Sequence, residues 1–593
     1  MIIHTSLNQP IDDREFFDGT IPDFIRTSPF VNDTTPFFID AATGEQLSQR
    51  QLWKMSNDFL TIFRQHGLGN ARDNVSDPSM GDVFITLFPN CIWAGPVHWA
   101  ALDAGATLSP ASCSYTVQEF AHQLQLVVPK MVVYSEPFKQ LLEDAIIVSK
   151  TNPTILSLEQ LIEDSERVPL AQANFQFANR LQLRPKESIT RVAYLAMSSG
   201  TSGGLFKAVR ITHGNITSNA IMSTKSSNAL LKTNQVASAI IPVSHLYGLA
   251  QFLVFGVHRG TAAVFHKGFD FIEFLDAAVK YKVNIFPLVP PIIILLAKHP
   301  FTQKYVPDLK RNLTTVLSGA APLGVKATEE FLERITGRKD GVSEYGTLRV
   351  IQGWGMTETS PVCTLFDPEV PVAHIRSVGK LVSNTEARVV SEGVDQPACD
   401  VDPASLDAAI KAGGLPTGEI LIRGPHVMDG YHKNPSANAD AFEEASDWTP
   451  DMPWYKKRWL RTGDVGFFDL QGRVMIVDRT KELIKSMGKQ VAPAELEDAL
   501  LANPLVADCA VIGVMDVDKG TESPRAFVVL RDPKADAVGI LKSLNSQMPK
   551  YKNLHGGIVV VEAVPRNPSG KVLRRLLRDR KDDVVLGLDV SKL

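Results

Sequence analysis

The stretch that most constrains this chain runs from Tyr194 to Asn215, where a buried apolar run meets a loop of small residues and hydroxyls. Val192 to Met197 has the composition of a short buried strand. Ser198, Ser199, Gly200, Thr201, Ser202, Gly203 and Gly204 follow, and Lys207 adds a point charge. With no Cβ bulk in the way, backbone N–H groups and hydroxyls in such a loop can close on a phosphate. A plain Gly/Ser turn is the competing reading. A Walker A loop is excluded, because no Gly-Lys-Ser/Thr stands at the required spacing.

The chain has 593 residues, enough for several cores, and its 44% apolar and 21% charged content suits a soluble globular protein. A formal charge of -4 argues against binding nucleic acid or an anionic membrane, both of which favour a basic face. Cys91, Cys113, Cys363, Cys399 and Cys509 are scattered without a Cys-x-x-Cys pair, so neither a metal knuckle nor a disulfide framework is expected. No secretory leader is expected in Met1 to Pro10. The most apolar run, Ile285 to Ala297, is broken by prolines and too short to span a bilayer, so it reads as buried core.

Residues 1 to about 185 alternate strand and helix signals: a helical period over Leu52 to His66, and strand runs at Val83 to Phe88 and Met131 to Tyr134. That alternation predicts an α/β region with a mainly parallel sheet covered on both faces. Further on, a strand is expected to end at Pro242 with His245 and Tyr247 at its mouth, where ligands collect in open α/β sheets. Ser391 to Gly418, rich in Asp, Pro, Ala and Gly, reads as a surface insertion.

The stretch Ser198-Ser-Gly-Thr-Ser-Gly203 resembles the phosphate loop of the acyl-adenylate-forming enzymes, which include acyl-CoA synthetases, 4-coumarate–CoA ligases and beetle luciferases. The family separates its lysine from the last glycine of that motif by two residues, whereas three residues stand between Gly203 and Lys207 and the usual proline is missing. Four further stretches match in family order: Val316 to Gly324, Gln352 to Glu358, Trp459 to Asp464 with Asp478 to Glu497, and Pro565 to Lys571. The resemblance implies an α/β fold with a large multi-sheet N-terminal domain (1–477) and a small mobile α+β lid (478–590).

It also implies roles. Ser198 to Gly203 and Lys207 would hold the ATP phosphates, and Gly319, Ala320 and Ala321 would pack the adenine on bare backbone. Trp354 would stack on that base, with Gly355 and Met356 beside it. Thr357 would bond the α-phosphate, and Glu358, with Thr201, would hold Mg²⁺, which prefers one or two hard oxygens plus phosphate. Asp464 would take both ribose hydroxyls with its two acceptor oxygens, with Arg479 reaching the ribose and Lys481, Lys485 and Gln490 the adenylate. His245 would gate the carboxylate channel, and Tyr247, Gln251, Gly319, Gly353, Pro361 and Val362 would line the acyl pocket. Met487, where plant 4-coumarate–CoA ligases commonly have lysine, and Gly488 would face coenzyme A. Lys571 would be the principal catalytic group. An amphipathic helix with a solvated basic face is expected over Leu573 to Arg578.

The implied activity is an acid–thiol ligase using ATP, Mg²⁺ and coenzyme A. The alternatives are an adenylating enzyme that loads a carrier protein, a luciferase-like oxidative enzyme, and a non-enzymatic nucleotide-binding protein. Ser591-Lys592-Leu593 reads as a peroxisomal address recognised by an import receptor.

Overall fold

The computed structural model describes residues 1–30, 36–69, 77–168, 180–198, 206–226, 235–321, 323–365, 377–400, 415–479, 482–487, 489–516, 521–567, 570–580 and 583–587. Three sheets of seven strands organise the large N-terminal part. In one, Val192–Ser198, Thr107–Leu108, Val83–Leu87, Met131–Tyr134 and Thr154–Ser157 lie parallel in that order. Lys207–Thr212 and then Gly430–Tyr431 extend it antiparallel from Val192–Ser198.

A second sheet runs Arg349–Gln352, Thr315–Ser318, Ile285–Leu288, Val236–Ala239, Ala262–Phe265 and Pro36–Asp40, all parallel, and ends in the antiparallel Gln46–Ser48. The third is antiparallel and carries Glu386–Ser391, Gly418–Arg423, Arg458–Phe468 and Val474–Arg479.

The inner parallel strands Val83–Leu87, Met131–Tyr134 and Ile285–Leu288 are buried throughout because helices cover them. Gln49–Gln65, capped by Ser48 with Gln51 returning to the cap, supplies one such cover and starts three residues earlier than its apolar period. Its inward residues Leu52, Phe59, Leu60 and Phe63 are each fully buried. The strands expected at Val192 to Met197 and Met131 to Tyr134 are realised as Val192–Ser198 and Met131–Tyr134. Ile285 to Ala297, expected as core, folds as the strand Ile285–Leu288 and the helix Pro290–Lys298.

Two expectations are corrected. The strand before His245 ends at Ala239, not Pro242. The carbonyls of Ala239 and Ile241 and the N–H of Val243 pair instead with the buried carboxamide of Asn90, at 3.0, 3.0 and 2.8 Å. The insertion after Ser391 is also more than surface loop: Val394–Asp395 pairs back onto Val390 and Ser391, and Asp395 holds Arg388 at 2.8 Å.

The C-terminal part has its own cores. One gathers Ile484, Leu496, Val511 and Ile540, the other Ile512, Phe527, Val559 and Leu577, and neither shares a member with the large core that Ile21 to Val474 build. Val506–Asp516, Thr521–Leu530 and Ile558–Val560 form its sheet. It meets the large part through few groups. Lys326 Nζ donates to Ala502 O at 3.0 Å, and Gly570 packs so closely on Val289 that a Cβ there would lie 2.9 Å from Val289 Cγ2.

Candidate active site

The phosphate-loop residues Ser199, Gly200, Thr201, Ser202 and Gly203 lie outside the described residues, as do Lys481, Gly488 and the tripeptide Ser591 to Leu593, while Gln490 is described only by its place on the strand Lys489–Val491. The ends of the loop are clear. Ser198 and Lys207 are cross-strand partners, so their side chains lie on one face of the sheet.

From there Ser198 Oγ donates to Glu358 Oε1 at 2.8 Å. The hydroxyl of Tyr431 donates to the same oxygen at 3.0 Å, and Lys207 Nζ lies 4.4 Å from the centre of the Tyr431 ring. Among the described residues Glu358 Oε2 accepts no hydrogen bond. A buried carboxylate with one oxygen pinned and one free suits a divalent cation.

Glu358 is held by a tight loop. Cys363 N–H donates to Trp354 O at 2.9 Å and Met356 N–H to Pro361 O at 3.0 Å, and a Cβ at Gly355 would lie 1.9 Å from Pro361 O. Asn219 locks the far side, its carboxamide pairing with both N–H and C=O of Val362 at 3.1 and 2.7 Å. Thr357 opens the short 3₁₀ turn that carries Glu358, and the backbone carbonyl of Glu358 accepts from Met428 N–H at 2.9 Å.

Asp464 stands across the site. Thr462 to Asp464 bulge out of Arg458–Phe468, with Gly463 at φ 70°. A bulge re-aims a side chain without breaking the strand. Asp464 thereby receives the Trp354 indole N–H on Oδ2 at 2.7 Å and Arg479 Nε on Oδ1 at 2.8 Å. The second contact follows from register, since Asp464 and Arg479 are directly opposed across the ladder. Trp354 is thus tied to the expected ribose ligand by its edge.

On the acyl side, Tyr247 donates to Leu317 O at 3.3 Å, and its ring lies 3.2 Å from where a Gly319 Cβ would stand. Ala320 holds a left-handed φ of 70°, an uncommon conformation outside glycine that marks a constrained turn. Helix Leu246–Gly248 passes into a π-helical stretch, Leu249–Phe255, of the kind that clusters at functional sites, and half-buried Gln251 lies on it. No Cβ is tolerated at Gly248, where it would stand 2.4 Å from Pro242 O. Gly353, Pro361 and Val362 line the turn between Trp354 and Cys363.

His245 Nδ1 accepts the Tyr247 N–H at 3.4 Å, which leaves Nε2 as the protonated nitrogen. Burial lowers its pKa to about 4, with the Glu358 charge raising it and the Lys571 charge lowering it further. At neutral pH it is a neutral donor.

Lys571 comes from the other part of the chain. Its loop is fixed by Asn567, whose side chain accepts from Lys571 N–H at 2.9 Å. The ammonium is pressed down to about 8, first by burial and then by the Arg479 charge, against the pull of Glu482 and Asp464.

Next to it Arg574–Arg578 forms the expected amphipathic helix, with Leu577 buried and Arg575 and Arg578 exposed. Arg574 departs from the solvated face: largely buried, it forks between Glu482 and Glu497 at 2.8 and 2.7 Å, because those carboxylates converge on it. The same group faces Asp478, whose carboxyl burial raises to about 7.

Lys485 and Met487 are exposed on the hairpin Ile484–Ser486 and Lys489–Val491, with Met487 N–H on Thr521 Oγ1 at 3.0 Å. Sequence reasoning missed Tyr431, Asn219 and Asn90. Only the Gly-Tyr pair before a Lys-Asn-Pro turn hinted at the first.

Residues 31–432 match the family described as AMP-binding enzyme, and residues 495–571 match its C-terminal domain. The chain is 33% identical over 518 residues to probable 4-coumarate–CoA ligase 1 of Dictyostelium discoideum, covering 84% of this chain and 86% of that protein. It is 30% identical over 562 residues to peroxisomal OPC-8:0-CoA ligase 1 of Arabidopsis thaliana, covering 94% and 91%. ATP-bound MatB from Rhodopseudomonas palustris shares the fold at TM-score 0.74 and 23% identity, covering 94% of this chain and 98% of that one. O-succinylbenzoate coenzyme A synthetase from Bacillus subtilis, in complex with ATP and magnesium ion, does so at 0.72 and 22%, covering 95% and 100%.

Proposed function

The chain belongs to the AMP-binding enzyme family, and from that premise we propose that it is an ATP-dependent acyl-CoA or aryl-CoA ligase. Residues 1–477 bind ATP and the acid, and residues 478–590 act as a lid. The observation that carries the reading is Lys571, which residues 478–590 bring close enough to Asp464 and His245 of the nucleotide site for their charges to interact.

In the first step a carboxylate oxygen attacks the α-phosphorus of ATP, and the bond to the bridging oxygen breaks, releasing pyrophosphate. Neutral His245 donates Nε2–H to orient the carboxylate, and the Lys571 ammonium offsets the negative charge that shifts onto the α-phosphate and its leaving group. Glu358 and Thr201 would hold Mg²⁺, which neutralises triphosphate charge when bound. Asp464, braced by Trp354 and Arg479, fixes the ribose. In the second step the sulfur of coenzyme A attacks the acyl carbon, its proton goes to solvent, and the carbon–oxygen bond to AMP breaks. Replacing hydroxide by AMP as leaving group is the gain from dividing the reaction.

The relatives' names support an aryl or oxygenated acyl chain, and the half-buried Gln251 amide suits a polar group on it. The tripeptide Ser591-Lys592-Leu593 and the peroxisomal name of the Arabidopsis relative support delivery to peroxisomes.

A mass-spectrometric assay with ATP, Mg²⁺ and a panel of aryl, medium-chain and hydroxy acids, with and without coenzyme A, tests the activity. Acyl-CoA and AMP should appear together and fall about 10²-fold or more in Lys571→Ala. Pyrophosphate release without acyl-CoA would overturn the ligase assignment in favour of another acyl acceptor.

A further inference from the structure

We propose that Tyr431 is a positioning residue of the phosphate and metal site, acting with its hydroxyl on Glu358 and with its ring face on Lys207. The proposal rests on the ligase reading given above. Tyr431 is brought there by a two-residue strand, Gly430–Tyr431, that pairs with Arg210 and Val209 beside Lys207. Asn215 fixes the approach to that strand, its carboxamide donating to Pro425 O and Val427 O at 2.8 and 2.9 Å. Asn438 Oδ1 accepts the N–H of Tyr431 itself at 2.6 Å. The side chain is buried, with its hydroxyl turned onto Glu358.

Two consequences follow from the geometry. Ser198 and Tyr431 both donate to Oε1 of Glu358, at 2.8 and 3.0 Å, which fixes the carboxylate plane and presents Oε2 to a cation. The same ring lies 4.4 Å from the Lys207 ammonium, a cation–π distance that holds the lysine without neutralising it. An acidic partner in that place would cancel the charge that the phosphates need. One side chain therefore orients the cation ligand and keeps the phosphate-binding lysine charged and extended.

The full-length chain can be tested with α,β-methylene-ATP, reading Mn²⁺ binding from the electron paramagnetic resonance signal of free Mn²⁺. Tyr431→Phe keeps the ring and removes the donor. It should weaken Mn²⁺ binding to the nucleotide complex about tenfold, the size of one hydrogen bond to a charged group. The affinity for the metal-free analogue should change less than about twofold, since the Lys207 contact survives. Tyr431→Leu should weaken both.

Circular dichroism checks that each variant is folded, and Tyr431→Phe alone decides the matter if Tyr431→Leu is not. Unchanged or tighter Mn²⁺ binding in Tyr431→Phe overturns the positioning role. Failure of the wild-type chain to bind Mn²⁺ with the analogue would overturn the ligase reading, and this proposal with it.

Discussion

Lys571 gives the sharpest test, because its ammonium must be charged to act and the structure moves its titration into an accessible range. Its pKa is lowered to about 8 by burial and by Arg479. A lowered pKa on a cation means that the charged form is present below about pH 8 and lost above it. The protonated fraction falls from about 0.9 at pH 7 to about 0.09 at pH 9, a loss of about tenfold in competent enzyme. In the adenylation half-reaction, run without coenzyme A so that its thiol plays no part, kcat/KM for ATP should fall by that factor. The kcat profile should break at higher pH, since bound triphosphate favours the ammonium.

Few other groups of the site interfere. His245 titrates near 4, the thiol of Cys363 is pushed up to about 12, and the phenols of Tyr247 and Tyr431 move higher still. In Lys571→Arg the guanidinium stays charged beyond pH 12. Its weaker activity should therefore be flat from pH 7 to 9.5. A wild-type profile without the fall, or the same fall in Lys571→Arg, would refute the reasoning.

Three further outcomes are expected. Gly355→Ala puts a methyl 1.9 Å from a backbone oxygen of the loop that holds Glu358, and should cost about 3 kcal/mol or more, read as a lower denaturation midpoint with adenylation lost. Trp354→Phe keeps an aromatic ring but removes the 2.7 Å donor to Asp464, so KM for ATP should rise about tenfold with little change in melting temperature. Asp478 has a folded pKa raised to about 7, so the folded chain holds the extra proton between about pH 4 and 7, and this group's share of stability declines as pH rises through that window. Thermal melts of Asp478→Asn at pH 5 and pH 8 should show a smaller decline than wild type, and an equal decline would reject the assignment.

What was legible in the sequence was whatever a continuous run of residues carries. Met131–Tyr134 and Val192–Ser198 announce themselves by apolar runs, and Asp464 and Lys571 by motifs that survive intact. What was not legible depends on pairing between distant segments. Tyr431 has no meaning until its strand is set against Lys207–Thr212. Arg574 reads as one of several basic residues until Glu482 and Glu497, both distant in sequence, close on it. The early end of the strand before His245 has the same cause, since Asn90 supplies the partners that a continued ladder would have supplied.

The distribution of contacts also says which bonds a turning lid must break. Arg574 and its partners Glu482, Glu497 and Val511 all belong to the lid, so that buried fork can travel with it unbroken. The groups that hold the lid to the large part are of another kind. Among the described residues they include the Arg479–Asp464 pair, the Lys326 bond to Ala502, and the seat of Gly570 on Val289. Two are single polar contacts and the third is one glycine against one valine, each of a size that substrate binding can offset. Arg479 has the most to lose, for it both braces Asp464 and stands next to Asp478 at the proposed boundary with the lid. Under the proposed mechanism, release of pyrophosphate would remove negative charge near Lys571, weaken the reason for the lid to stay and free the exposed hairpin carrying Met487 to approach. The order of reaction would then follow from which charges belong to residues 478–590 and which to the larger part.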